Sequence, residues 1–503
     1  MALGLAWPGL SVEYIFVNLG PLGRSIPVAS LETYARTGEI TEDLEWYTKF
    51  LTPEQLQRLR EGLVTSADVD VVTVSQFLYT SQGEAILDWL GEFVQTAGRQ
   101  NGAKAIRGAV IQAAADTDGG LNALNTLKYF PTQGVRLDLL PILRIANQAS
   151  TEINQTQAVI AQIQAQSSAN LDPISALPDL TQPGPQSWTV QSLDSSALPT
   201  DLYLPAGNNL PLVVLSHGLG GDRATLAYLA EHLASYGLAA AVVEHPGSSA
   251  DQLDALVSGR ADEAVDPEEM VLRPMSIQTL LDDLTANAAL QGRINFNQVG
   301  VMGHSFGAYT SLTLAGASIS SESLAQSCPP ELAQLNVSLL LQCLVPELPQ
   351  PPSALKDERI KAAIAINPFG SAVFGPTGMA DISIPLVIVS GSNDTVTPAL
   401  AEQIRPFSWL TTPERHLLLM ENGTHFSAVQ DPETSESAAL PTEIIGPRPD
   451  LAQRYVQAIS IAFFRRHLSG ESQYDPYLTS SYADTLSQSE MPLSLVNNFE
   501  ITQ

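Results

Sequence analysis

Ser305 lies between two glycines in residues 298–312, which read QVGVMGHSFGAYTSL. The apolar residues before Gly303 predict a buried strand, and the residues after Gly307 predict a helix. A G-x-S-x-G sequence at such a turn is typical of a nucleophile elbow, where small residues let the serine adopt a strained backbone. At typical Gly and Ser usage the bare pattern arises about 0.2 times by chance in a chain of about 500 residues. The prediction therefore depends on the strand before Gly303 and the helix after Gly307. The chemistry it suggests is attack by the Ser305 hydroxyl on an ester carbonyl.

A serine hydroxyl becomes a useful nucleophile only when a base takes its proton. The chain has seven histidines. In proteins with such an elbow the acid and then the histidine follow the serine along the chain, which leaves His416, His425 and His467. His416 falls inside a predicted strand, and His467 ends the last predicted helix. His425, in ENGTHF, directly follows a predicted strand and is therefore the candidate base; the alternative is a loop histidine that caps local backbone.

The candidate acid is Asp394, in SGSNDTVTP, at the carboxyl end of the predicted strand IPLVIVSG. Reactive groups of a parallel α/β sheet lie at the carboxyl ends of its strands. Asp381 precedes that strand and Asp357 precedes another, so both lie at the wrong end. Asp394 would accept a hydrogen bond from the His425 ring, fix its tautomer and stabilise the imidazolium.

An ester under attack develops an oxyanion, which needs preorganised N–H donors. One candidate donor is the backbone N–H of Phe306, the residue after the nucleophile. The second is the N–H of Leu219 in LSHGLGG, which follows the first long apolar strand. Gly218 permits a sharp turn in that loop. His217 is expected to shape the loop and not to take part in the reaction.

Beyond residue 186 the chain alternates apolar, β-branched runs with helical stretches. Strands that are apolar on both faces and alternate with helices predict a mostly parallel sheet covered on both sides, the α/β class. The main runs are LPLVVLS, GLAAAVVE, QVGVMG, IKAAIAIN, IPLVIVSG and RHLLLME.

At 503 residues the chain exceeds the size of a single core, so we expect two domains. The N-terminal part predicts a mainly helical domain, in which Thr52, Pro53 and Gln55 mark one helix start as N-cap, first residue and capping-box partner. The expected order is a helical domain over 1–165, a proline-rich linker over 166–186, an α/β catalytic domain over 187–470 and a polar tail over 471–503.

Residues 317–358 form a long polar insertion with one apolar patch, and we hypothesise that it is a lid over an apolar acyl pocket. The alternative is a surface excursion that packs on the N-terminal helices. Cys328 and Cys343 both lie in this insertion, and either a local disulfide or two free thiols fits the sequence. Neither has a second Cys or a His at metal-ligand spacing, so no metal site is expected.

The segments LSHGLGG, GHSFG, SGSND and GTHF resemble the α/β-hydrolase superfamily over residues 187–470. The series SHGLGG, EHPGSS, RP and GHSFGAY is similar to its dienelactone-hydrolase-like and platelet-activating-factor-acetylhydrolase-like branch. The N-terminal region resembles a domain of unknown function that precedes such hydrolases in cyanobacteria. The platelet-activating-factor enzymes carry their acid after an earlier strand, where this chain has Asn367, which weakens the transfer of a phospholipid substrate. A serine in place of the cysteine of dienelactone hydrolases implies ordinary esters.

The composition of the chain argues against several classes of partner. Lys and Arg total 24 against 53 Asp and Glu, a formal charge of −29. Such a surface repels phosphate backbones, which argues against nucleic acid, and it disfavours anionic lipid. No stretch approaches the ~20 apolar residues of a membrane span. The apolar start of the chain lacks a basic n-region, so the location is left open between export after trimming of a signal and the cytoplasm.

The sequence therefore predicts a serine carboxylic-ester hydrolase that forms an acyl-enzyme on a small-to-medium, partly apolar ester, lipid esters included. No cofactor is expected, and the oligomeric state is left open. Two alternatives use the same fold: acyl transfer to an alcohol through the same three residues, and an inactive hydrolase fold that serves as a binding module. A dinucleotide-binding unit is a further alternative for residues 212–245, but Arg223 stands where a third glycine is needed.

Overall fold

The computed structural model describes the chain in nine stretches, and the chain divides into two units. The described residues are 12–20, 22–49, 51–67, 69–172, 177–193, 198–328, 336–348, 355–430 and 446–501. The N-terminal unit comprises Met1–Ser150 and Asp254–Ala264, and the C-terminal unit comprises Thr151–Leu253 and Val265–Gln503.

The N-terminal unit contains a four-stranded sheet as well as the helices that the sequence predicts. The strands are β1 (Tyr14–Leu19), β2 (Leu22–Pro27), β3 (Val94–Thr96) and β4 (Gly134–Asp138), in the order β2-β1-β4-β3. Ile15 and Val135, on the two central strands, are 3% and 0% exposed, so the sheet contributes to the core of this unit. Periodicity did not indicate β2, β3 and β4, because each has at most two apolar side chains among polar ones, apart from Pro27. The β1 sequence YIFVNL is apolar except for Asn18 and shows no alternation, so it did not stand out from the apolar start of the chain.

Eight helices belong to the described N-terminal region: α1 (Val28–Thr37), α2 (Glu42–Thr48), α3 (Pro53–Val64), α4 (Val71–Tyr79), α5 (Ser81–Phe93), α6 (Ala103–Ala115), α7 (Ala123–Lys128) and α8 (Leu139–Ala169). The predicted start of α3 is confirmed. The Thr52 side chain accepts from the Gln55 N–H, and the Gln55 side chain accepts from the Thr52 N–H, so two otherwise unpaired donors are satisfied.

The C-terminal unit is built on a nine-stranded sheet in the order β13-β12-β11-β10-β9-β7-β8-β6-β5. The strands from β8 to β12 in that order are parallel, and β5, β6 and β13 run antiparallel to their neighbours. The strands are β5 (Trp188–Ser192), β6 (Thr200–Pro205), β7 (Leu210–Ser216), β8 (Ala239–Val243), β9 (Ile294–His304), β10 (Ile360–Ile366), β11 (Leu386–Gly391), β12 (Arg415–Met420) and β13 (Leu493–Val496).

Both faces of this sheet are covered, as the continuous apolar runs predict. Successive residues of β7 alternate between two apolar clusters: Leu212 and Val214 pack in one, and Val213 and Leu215 in the other. The α/β class is therefore confirmed. The helices are α9 (Ala227–Ser235), α10 (Ala250–Val257), α11 (Glu269–Ala286), α12 (Phe306–Ala315), α13 (Ser321–Ser327), α14 (Leu339–Gln342), α15 (Ser371–Ala380), α16 (Arg405–Trp409), α17 (Pro449–Leu468) and α18 (Ser480–Leu486), with a π-helical segment at Ala399–Ile404.

Two expected boundaries differ from the structure. The division between the units falls inside α8, and the predicted linker includes Leu180, which is 3% exposed in an apolar cluster. The predicted polar tail over 471–503 is instead part of the fold, because β13 pairs with β12 and buries Leu495 to 1% exposure. Its few apolar residues are spaced for burial, and the surrounding Ser and Gln residues conceal that pattern.

Candidate active site

Ser305 stands at the turn between β9 and α12. Its backbone has φ 54° and ψ −114°, a region that non-glycine residues rarely occupy, and its N–H donates to the Ile366 carbonyl at 2.9 Å. The flanking glycines make this turn possible. A Cβ at Gly303 would lie 2.1 Å from the Gly307 carbonyl oxygen, and one at Gly307 would lie 1.8 Å from that of Ser216. Glycine is therefore required at both positions for steric reasons.

Asp394 and His425 meet at the carboxyl ends of β11 and β12. Asp394 Oδ2 lies 2.8 Å from His425 Nδ1, and the two residues are 6% and 3% exposed. Burial acts to raise the pKa of Asp394, but the His425 ring and the hydrogen bonds from Thr397 outweigh it, so this pKa lies below its usual value. The carboxylate is thus held ionised against the imidazole.

Val396 and Thr397, which the sequence did not single out, bind Asp394 together with Asn367. The backbone N–H groups of Val396 and Thr397 donate to Oδ1 at 2.9 and 2.7 Å, and the Thr397 hydroxyl donates to Oδ2 at 2.7 Å. Asn367 Nδ2 also donates to Oδ2, at 2.7 Å. The tight turn after Asp394, with Thr three residues on, is a sequence signal for this type of carboxylate cradle.

His304, next to Ser305 in sequence, joins the nucleophile segment to the His425 loop. Its Nε2–H donates to the His425 carbonyl at 2.7 Å, and the two rings are 4.8 Å apart between centroids. Burial, followed by the proximity of His425, lowers the pKa of His304 to about 3, so its ring stays neutral. His304 therefore positions backbone and does not titrate near neutral pH.

The loop after β7 lies against the nucleophile. A Cβ at Gly218 would lie 3.3 Å from Ser305 Cβ, so the backbones approach closely there. Among the residues that the structure describes, no acceptor receives the backbone N–H of Leu219 or of Phe306. Backbone N–H groups without an acceptor are the kind of donor that an anion can bind.

The insertion that follows α12 is tied to the loop after β10. Cys328 and Cys343 form a disulfide with Cα atoms 5.6 Å apart, so the first of the two sequence alternatives is correct. The buried Glu402 carboxylate accepts from the side chains of Asn336 and Gln342 at 2.5 and 2.9 Å. It also accepts from the N–H groups of Gly370 and Ser371. The parts of the predicted lid at 329–335 and 349–354 lie outside the described residues.

In the stretches of chain that the structure describes, no group of three or more His, Cys, Asp or Glu side chains could hold a metal ion. No helix of the described residues is long and apolar enough to cross a membrane.

Two family models match separate parts of the chain. Residues 11–138 match a family described as an alpha/beta hydrolase of unknown function (DUF1400). Residues 188–279 match platelet-activating factor acetylhydrolase, isoform II. The second match spans β5 to α11 and so includes Leu219 but ends before Ser305.

The curated relatives are distant ester hydrolases. Cutinase 2 of Thermobifida cellulosilytica is 22% identical over 294 residues, which cover 57% of this chain and 79% of the relative. Cutinase cut1 of Thermobifida fusca is 22% identical, with 57% of this chain and 65% of the relative covered. A bis(hydroxyethyl) terephthalate hydrolase of Streptomyces coelicolor is 24% identical over 268 residues, 53% of this chain and 60% of its own. These similarities support a carboxylic-ester hydrolase family.

Proposed function

Because this chain belongs to the α/β-hydrolase superfamily, we propose that it is a serine carboxylic-ester hydrolase that acts through an acyl-enzyme. The observation that carries the proposal is the buried Asp394–His425 pair, 2.8 Å apart, in a site whose strained strand-to-helix turn presents Ser305. Such a turn supports a nucleophile elbow, and the pair supports a triad with Ser305 as its first member.

In the proposed first half-reaction the Ser305 oxygen bonds to the ester carbonyl carbon while His425 Nε2 takes the hydroxyl proton. The carbonyl oxygen becomes an oxyanion that accepts from the N–H groups of Leu219 and Phe306. Asp394 stabilises the imidazolium through its bond to Nδ1. When the tetrahedral intermediate collapses, the ester C–O bond breaks and the imidazolium protonates the departing alcohol.

The second half-reaction returns the enzyme to its starting state. Water attacks the acyl carbon as His425 takes one of its protons, and a second oxyanion forms at the same two N–H groups. The bond from the acyl carbon to the Ser305 oxygen then breaks, and His425 returns the proton to Ser305. The products are one carboxylic acid and one alcohol, and no group beyond these side chains, backbone amides and water takes part.

The proposed substrate is a small-to-medium ester with an apolar part. Distant relatives are named cutinase and bis(hydroxyethyl) terephthalate hydrolase, and the second name specifies an aromatic ester. These names favour an ester with an apolar part. The disulfide-linked insertion is the proposed lid of the acyl pocket.

The test is fluorophosphonate labelling combined with hydrolysis of p-nitrophenyl esters of increasing chain length. We expect Ser305→Ala to abolish labelling and to lower kcat by about 10⁴-fold or more. The matched control is Ser460→Ala, because Ser460 is fully buried in α17 and, among the described residues, its hydroxyl bonds the Gln457 carbonyl alone. It should label and turn over like the wild type. Retained labelling in Ser305→Ala would overturn the proposal.

A further inference from the structure

Arg273, on α11, is a fully buried cation with 0% of its surface exposed. Its partner Glu269 lies one turn earlier, with Nε and Oε2 3.7 Å apart. Its guanidinium carbon also lies 4.0 Å from the ring centroid of Phe306. Burying an arginine is unfavourable unless its donors are used in good geometry, so the acceptors of this side chain indicate its role.

Those acceptors belong to the loop after β7. Nη1 donates to the carbonyl of His217 at 2.7 Å, and Nη2 lies 3.4 Å from that of Gly218. Nε donates to the Ser248 hydroxyl at 2.9 Å, and Ser248 in turn bonds Glu269. One guanidinium therefore holds two consecutive carbonyls of the segment that presents the Leu219 N–H.

The His217 ring acts on the same carbonyl. Its Nε2 accepts from the His245 N–H at 3.0 Å, which leaves the proton on Nδ1. Nδ1 lies 2.6 Å from the Gly218 carbonyl oxygen and is thus its donor. Burial, and next the charge of Arg273, lower the pKa of His217 to about 3, so the ring keeps this neutral form across the working range.

The Gly218 carbonyl and the Leu219 N–H belong to one planar trans peptide, in which the two bonds point in opposite directions. Donors that fix the carbonyl from inside the fold therefore fix the direction of the N–H on the other side. They also polarise the amide and strengthen its N–H as a donor. The same peptide begins at Gly218, whose Cα lies against Ser305.

We infer that Arg273 and His217 are positioning residues of the oxyanion site. They hold the Gly218–Leu219 peptide with its N–H toward the developing oxyanion, and Arg273 also packs on Phe306, which bears the second donor. This inference rests on the proposed esterase function. It predicts that losing Arg273 weakens binding of the transition state more than binding of the ester.

The test compares two variants with a matched control. Arg273→Met/Glu269→Gln removes both charges and so leaves no lone buried carboxylate. Arg273→Lys keeps the charge beside Glu269 but loses the planar fork. The control is Arg359→Met/Asp357→Asn, because Arg359 and Asp357 form another ion pair of this unit, 2.6 Å apart. Far-UV and near-UV circular dichroism establish that each variant is folded.

Three quantities are measured with p-nitrophenyl butyrate: kcat, KM and the Ki of an alkyl trifluoromethyl ketone, whose serine adduct carries an oxyanion. We expect kcat of Arg273→Met/Glu269→Gln, called the Met/Gln variant below, to fall about 10- to 100-fold. This fall is smaller than the one caused by removing an oxyanion donor outright. KM should stay within about twofold, and the ketone Ki should rise in step with the fall in kcat/KM. Arg273→Lys should lie between this variant and the wild type, and the control should match the wild type.

Unchanged kinetics in folded Met/Gln protein would overturn the inference, as would a fall in kcat with no change in the ketone Ki. If the Met/Gln protein does not fold, the Lys variant decides by the same two quantities. Ser305→Ala measured in parallel separates the two proposals. An active Ser305→Ala protein removes the esterase mechanism, whereas an inactive one beside a fully active Met/Gln variant removes only the role of Arg273.

Discussion

Asn367 Nδ2 donates to Asp394 Oδ2 at 2.7 Å, and this oxygen is the one that accepts from His425 Nδ1 at 2.8 Å. Asn367 follows β10 and has φ 47°, whereas Asp394 follows the neighbouring strand β11. The side chains at the ends of the two strands therefore reach the same point beside the imidazole. An acid placed on either strand could orient His425.

This geometry predicts that the acid can be moved from one strand to the other. Asp394→Asn should lower kcat by about 10⁴-fold, because an amide cannot orient and stabilise the imidazolium. The exchange variant Asn367→Asp/Asp394→Asn should have a kcat at least about tenfold higher than that of Asp394→Asn. Initial rates with a p-nitrophenyl ester measure both, and Asn367→Ala/Asp394→Asn is the control. An exchange variant no faster than this control would contradict the prediction.

The central sheet is the part of the fold that the sequence predicts best. Strands β7, β8, β10, β11 and β12 are buried at nearly every position, and β9 is buried from Val299 onward, so their apolar runs are easy to recognise. The edge strand β5 has one half-buried residue followed by four exposed ones, and so carries little pattern. In the small N-terminal sheet, strands β2, β3 and β4 carry equally little apolar pattern.

The site divides in a similar way. Residues at strand ends, such as Asp394 and His425, can be placed because parallel strands gather their carboxyl ends on one edge. The catalytic roles of these residues stay predictions. Arg273 could not be placed, because its acceptors are 55 and 56 residues away in sequence and depend on how α11 packs. No local period or spacing encodes such a contact.

The glycines that flank Ser305 predict a sharp contrast in stability. Gly307→Ala would place a Cβ 1.8 Å from the Ser216 carbonyl oxygen, and backbone cannot move aside cheaply, so we expect a loss of several kcal/mol or no folded protein. Gly62→Ala is the matched control, because Gly62 lies in α3 with nothing within 4 Å of its Cβ position. It should stabilise by about 0.5–1 kcal/mol through helix propensity. Urea unfolding measures both, and equal effects would contradict the steric account.

The disulfide predicts a link between the insertion and substrate preference. Cys328→Ser/Cys343→Ser opens a loop with a sequence separation of 15 and should cost about 3 kcal/mol by loop-closure entropy. If the insertion is the lid, the preferred acyl length on p-nitrophenyl esters should also shift. Thermal unfolding and the chain-length profile measure the two effects.

A second variant tests the same link without touching the cysteines. Glu402→Gln weakens the anchor that holds Asn336 and Gln342, the two side chains that donate to it from the insertion. We expect a shift of acyl-length preference in the same direction as that of the cysteine variant. Unchanged profiles in both proteins would rule out the lid.

His416 predicts a loss of stability in acid. Burial, and next His467, lower its pKa to about 4 from 6.5, and its Nδ1 has no hydrogen-bond partner among the described residues. Between these two pKa values the unfolded chain binds more protons than the folded one, so stability falls as the pH drops through this window. Between pH 7 and 5 this one group should remove about 2 kcal/mol. The unfolding free energy of His416→Leu in urea should therefore fall by about 2 kcal/mol less than that of the wild type between pH 7 and 5. Its esterase activity should be unchanged, because His416 lies near the start of β12, whereas Asp394 follows the carboxyl end of β11. Parallel curves for the two proteins between pH 7 and 5 would contradict the prediction, because they would mean that the pKa of His416 is the same in the folded and the unfolded chain.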